Sequence, residues 1–95
     1  MDIAISSDLI DFNQVKLVKV NLHYADAANG LDVRKDVLIK KDAPAPVWKV
    51  ELKDKSKITF DWQATFYLGT NPPTQRQTPV TTTADRMIIL ETPAS

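Results

Sequence analysis

One histidine, two tryptophans and a group of aspartates around an Asn-Gly pair are the residues of this chain best equipped for chemistry. His23 stands between Leu22 and Tyr24. An imidazole can act as a general base near neutral pH, but it then needs a nucleophile to activate and a carboxylate to orient it. No such set can be placed around His23 from spacing alone, so it reads as an exposed strand residue. Asp26, Asn29 and Asp32 could offer oxygens to calcium. The EF-hand loop needs ligands at positions 1, 3 and 5 and a bidentate glutamate at 12. Counted from Asp26, that last position is Val37. Asp and Asn also favour turns, because their short side chains bond to nearby backbone, and turn chemistry is what these three residues predict.

Other chemistries lack their residues. Without cysteine the chain has no disulfide, thiolate ligand or thiol nucleophile. Its only glycines, Gly30 and Gly69, do not make a phosphate loop. The expectation is a non-catalytic protein with no metal and no cofactor. Trp48 and Trp62 both fall in the apolar register of their strands, which predicts core positions. A sugar-binding role would instead need aromatics in solvent. Tyr67 has the opposite parity to Trp62 and is the first candidate for ligand contact, with Trp48 the second.

These residues are carried by segments that alternate with a period of two, which sends successive side chains to opposite faces of a strand. In Val15–Tyr24 the apolar set is Val18, Val20, Leu22 and Tyr24, with Lys19, Asn21 and His23 between them. Val33, Val37 and Ile39 repeat the pattern, as do Trp48, Val50 and Leu52. The longest run is Ile58, Phe60, Trp62, Ala64, Phe66 and Leu68. A first strand is expected within Ile3–Phe12, where Ser6, Ser7 and Asp8 could split it, and a last one at Met87–Leu90. Tyr24–Asp32 reads as a loop around Asn29-Gly30. Asp42–Pro46, Asp54–Lys57, Gly69–Pro73 and Pro79 punctuate the rest. Pro72-Pro73 reads as loop rather than as a ligand for an aromatic groove. No helical stripe is present.

Ninety-five residues suit one domain, with 43% apolar and 25% charged residues, an ordinary globular composition. Twelve basic and twelve acidic residues cancel, which leaves no electrostatic footprint for nucleic acid and no polybasic face for lipid. Lys40, Lys41, Lys49, Lys53, Lys55 and Lys57 are interleaved with acids and suit solvated strand faces and protected edges. No apolar run reaches membrane-spanning length. Strands punctuated every 8 to 12 residues predict an all-β, two-sheet antiparallel β-sandwich of about seven strands. The expected organisation is an N-terminal segment or first strand over 1–8, a sandwich over 9–91 and a linker-like tail over 92–95.

The stretch Leu52-Lys53-Asp54-Lys55-Ser56-Lys57-Ile58-Thr59-Phe60-Asp61-Trp62-Gln63-Ala64-Thr65 resembles the corner of a fibronectin type III or immunoglobulin-like module. Leucine, a polar turn and an aromatic there precede an alternating core strand. Phe60 stands where such modules place the tyrosine of the tyrosine corner, without its hydroxyl. The resemblance implies a structural or adhesive module of a larger, surface or secreted, bacterial protein, in contact with neighbouring domains and with protein or glycan. The alternatives are a carbohydrate-binding module and an assembly subunit that pairs through an edge strand.

Overall fold

The structure is a computed structural model and describes residues 1–41, 46–69 and 74–92. Eight strands follow in order: β1 (Asp2–Leu9), β2 (Val15–Asp26), β3 (Leu31–Ile39), β4 (Val47–Lys49), β5 (Phe60–Leu68), β6 (Thr74–Gln77), β7 (Thr81–Thr83) and β8 (Met87–Glu91). They form a β-sandwich of two sheets. The larger has the order β3-β2-β5-β6, with β7 also on β5, and the smaller has the order β4-β1-β8.

The alternation of β2 decides which side of the larger sheet is core. Val18, Val20, Leu22 and Tyr24 are buried, while Lys19, Asn21 and His23 lie on the other face and are only partly covered. Antiparallel partners share a face, so Val18 meets Phe66, Val20 meets Ala64 and Leu22 meets Trp62 on the core side. The smaller sheet adds Ile3 and Ile5 from β1, Trp48 from β4, and Ile88 and Leu90 from β8. Trp48 meets Phe60 edge-on, with ring centroids 6.1 Å apart and planes at 80°. That contact joins the two sheets through the aromatic pair geometry that ring quadrupoles favour.

Several expectations need adjustment. The segment Tyr24–Asp32 is not all loop: β2 continues to Asp26 and β3 begins at Leu31. Only a short 3₁₀ turn, Ala27–Asn29, and Gly30 at φ 70° separate them. Gly30 takes the left-handed conformation that glycine adopts without strain, and this lets the hairpin close tightly. The fourth strand stops at Lys49, and the long strand begins at Phe60 rather than Ile58. Segment 74–83 adds two short strands, interrupted where Pro79 has no N–H to donate. β1 is continuous, and Ser6-Ser7-Asp8 marks a register shift against β8 instead of a break. The pairing of β1 with β8 is parallel, unlike the antiparallel pairs elsewhere. Positions 42–45, 70–73 and 93–95, which include Pro72-Pro73 and most of the expected tail, lie outside the described residues.

The polar turn before β5 is built as expected and tied down from an unexpected direction. The Asp54 Oδ1 accepts from the Ser56 amide at 2.9 Å and from the Ser56 hydroxyl at 2.7 Å. These bonds, with Lys57 nearby, hold the Asp54 carboxyl below its ordinary value. Tyr24, fully buried, donates its hydroxyl to the Lys57 carbonyl at 2.7 Å. Phe60 cannot make a hydroxyl-to-backbone bond at this corner. Tyr24 makes one from β2, more than thirty residues away in sequence.

Burial, reinforced by the carboxylates of Asp26 and Asp54, pushes the Tyr24 phenol above 10.0. The neutral phenol is the form the fold favours. Its contribution is therefore complete below the unfolded value and lost as pH rises toward the folded one. Tyr24→Phe should cost about 1–2 kcal/mol at pH 7, measured by urea unfolding, because the Lys57 carbonyl loses its donor. The parent protein should also lose stability from about pH 10 upward, and Tyr24→Phe should lose less over the same interval. Equal losses in the two proteins would remove Tyr24 as the cause.

Candidate functional site

The outer face of the larger sheet gathers most of the polar side chains that could meet a ligand. Its rows follow from register. Asn21 lies opposite Asp36 on β3 and Gln63 on β5, and His23 lies opposite Arg34 and Asp61. A groove of about 320 Å³ runs between them, lined by His23, Arg34, Asp36, Asp61, Gln63 and Val80 among others. Leu22 and Trp62 also line it. Since these two are register partners with core-side parity, they contribute the floor, and Trp62 packs half-buried against the core.

His23 is the centre of this face, and its ring is held between two carboxylates. Its Nε2 lies 2.7 Å from Oδ1 of Asp32 and its Nδ1 lies 4.0 Å from Oδ2 of Asp61. Asp32 sits diagonally across the β2–β3 ladder, a separation within reach of a histidine. The neighbours are engaged as well. Asn21 donates to Asp36 at 2.6 Å, Gln63 donates to the Thr78 carbonyl at 2.9 Å, and the Thr82 hydroxyl donates to Asp61. Arg34 Nε lies 3.6 Å from Asp32.

This geometry orients an imidazole without aiming it at a reactant. A general base needs one ring nitrogen directed at the proton it will take, whereas here both nitrogens face carboxylates. The hydroxyl of Thr82 joins this group through the Asp61 carboxylate and not through the imidazole. The arrangement is a cross-strand clamp over β3, β2 and β5.

The other residues singled out from the sequence are dispersed. Trp48 is 6% exposed and lies in the core of the smaller sheet. Tyr67 is half-buried on the outer face of the larger sheet, opposite Leu17 on one side and Gln75 on the other. The two candidate contacts therefore belong to different sheets and share no face. Asp26 is buried and accepts from Asn29 Nδ2 at 2.8 Å, while Asp32 turns to His23 on the opposite side. The three oxygens considered for calcium serve two separate jobs. Sequence reasoning missed the role of Asp32 and Asp61 at His23. The signal was available: the Asn-Gly hairpin sets the β2–β3 register, and Asp61 has outward parity.

No family model, curated protein or solved structure matches this chain, so the fold and the site rest on its own geometry.

The His23–Asp32 bond is largely solvent-exposed at the aspartate end, so its contribution should be modest. A double-mutant cycle with His23→Ala and Asp32→Ala should give a coupling of about 0.5 kcal/mol in chemical unfolding. A coupling several times larger would mean that this face carries more of the fold than its exposure implies.

Proposed function

We propose that the chain is a non-catalytic structural or interaction module, an immunoglobulin- or fibronectin III-like spacer within a larger surface or secreted protein. The observation that carries this reading is the parallel pairing of the first and last strands, Ala4 with Met87, Ile5 with Ile88 and Ser6 with Ile89. Strands that run in the same direction put the entry of the chain and its exit at opposite ends of the sheet. For a strand of eight residues that separation is about 25 Å. Modules arranged in line need this geometry, because each must hand the chain on at the far end.

The strand order adds to the family reading. The larger sheet, β3-β2-β5-β6, follows the C′-C-F-G order of such modules, with β6 and β7 together in the place of G. The antiparallel pair β1 and β4 then stands for B and E. β5 opens with Phe60, the position of the corner aromatic. The departure is β8, which lies where an A strand would flank B but comes from the other end of the chain and runs parallel. The carboxylate-bound state of His23 favours a scaffold over an acid–base site.

Antibodies raised against this domain should detect, in fractionated source cells, a band far larger than 10.6 kDa in the surface or secreted fraction. A band near 10.6 kDa in the cytosol would overturn the spacer reading.

A further inference from the structure

The sandwich leaves several strand edges without a neighbour among the described residues, and they are not alike. β3 presents Asp32, Arg34, Lys35 and Asp36. β6 is Thr-Gln-Arg-Gln, and β4 is three residues long and ends in Lys49. Charge and shortness are the ordinary protections of an exposed edge. β8 has neither. It reads Met-Ile-Ile-Leu before Glu91, contains no proline or glycine, and stands last in the order β4-β1-β8.

Its unused main-chain groups can be assigned. The Ala4 amide donates to the Arg86 carbonyl at 2.9 Å, and Ala4 is in register with Met87. In a parallel ladder this directs the N–H and C=O of Ile88 to β1 and those of Met87 and Ile89 away from it. The Thr92 amide bonds to the Leu9 carbonyl, which continues the alternation and turns Glu91 outward too. On the solvent face of the same strand, Met87 and Ile89 are 54% and 55% exposed.

We propose that β8 pairs, edge to edge and antiparallel, with the β8 of a second copy of this chain, about a two-fold axis at Ile89. In that register the Ile89 amide and carbonyl meet those of Ile89 in the second copy, and Met87 meets Glu91. Ile88 comes opposite Leu90 on the core side, so the two sheets continue into one six-stranded sheet with both cores on the same side. Met87 and Ile89 of each copy lie against the other on the outer side. Arg86 falls opposite Thr92 on one face of the joined sheet, and Glu91 falls opposite Met87 on the other. No like charges face each other, and a chain of zero net charge does not repel its copy. The joint is only five residues long, so it predicts a reversible, concentration-dependent dimer rather than an obligate one. The inference is independent of the spacer reading, since it uses only the edge that β8 leaves without a neighbour among the described residues.

Sedimentation velocity from about 10 μM to about 1 mM covers the range of such weak contacts. The mass should rise from 10.6 kDa toward twice that value. Because position 89 faces itself, Ile89→Lys alone and Ile89→Glu alone should each weaken association on the order of five- to tenfold through like-charge opposition. An equimolar mixture of the two should recover it as a heterodimer. A constant mass of 10.6 kDa for the parent chain would overturn the proposal. So would single variants that associate like the parent, a mixture that recovers nothing, or a mass that climbs past the dimer.

Discussion

The placement of nearly every side chain discussed above depends on the register in which β2 is held between β3 and β5. β2 is the longest strand among the described residues and is hydrogen-bonded along both edges, which makes it an interior strand of the larger sheet beside β5. A slip of one residue would turn Val18, Val20, Leu22 and Tyr24 into water and bury Lys19 and His23. The cost of burying those polar groups pins the register from the β5 side, where Val20 meets Ala64. On the other side the pin is the hairpin, whose tight 3₁₀ turn closes through Gly30. The core and the polar outer face are thus two consequences of one register. Asp61 reaches His23 because Leu22 is opposite Trp62, and Asp32 reaches it because Tyr24 is opposite Val33.

The parts of the fold that were legible in the sequence are those that periodicity encodes. The alternations in β2 and β5 identified core positions and outward positions, and Trp48 and Phe60 fell inside as their parity requires. Less legible was whatever depends on which strand lies beside which. β6 and β7 have no apolar alternation, because they are edge segments that pair with β5 while exposing most of their surface. The short apolar run of β8 predicts a strand but carries no information on its direction, so the parallel pairing with β1 was hidden. Tyr24 was read as one more apolar residue in the series. Its hydroxyl bond to Lys57 depends on two segments brought together only by the packing of the sheets.

The two outer faces have different chemistry, and the difference follows from what each sheet must hold together. The larger sheet carries amides, carboxylates and a histidine that bond across strands, so its solvent face contributes to the alignment of β3, β2 and β5. The smaller sheet carries Val47, Ala4, Met87 and Ile89 across its solvent face, in rows set by the β1 pairings. Apolar side chains there contribute no directional cross-strand bonds. The alignment of that sheet rests instead on its main-chain ladder and on the core beneath it, from Ile3 and Ile5 to Ile88 and Leu90.

A parallel first-and-last pair also constrains how the domain responds to its surroundings. Tension applied at the two ends of the chain pulls β1 and β8 past each other along their length, which loads their hydrogen bonds together rather than one at a time. The buried Ile5 and Ile88, in register on the core side of that joint, must leave the core in the same event. The free edge of β8 does not lie in this load path, because the groups it offers are those not used by β1. Tension along the chain and the proposed contact across the edge would therefore draw on different main-chain groups of β8.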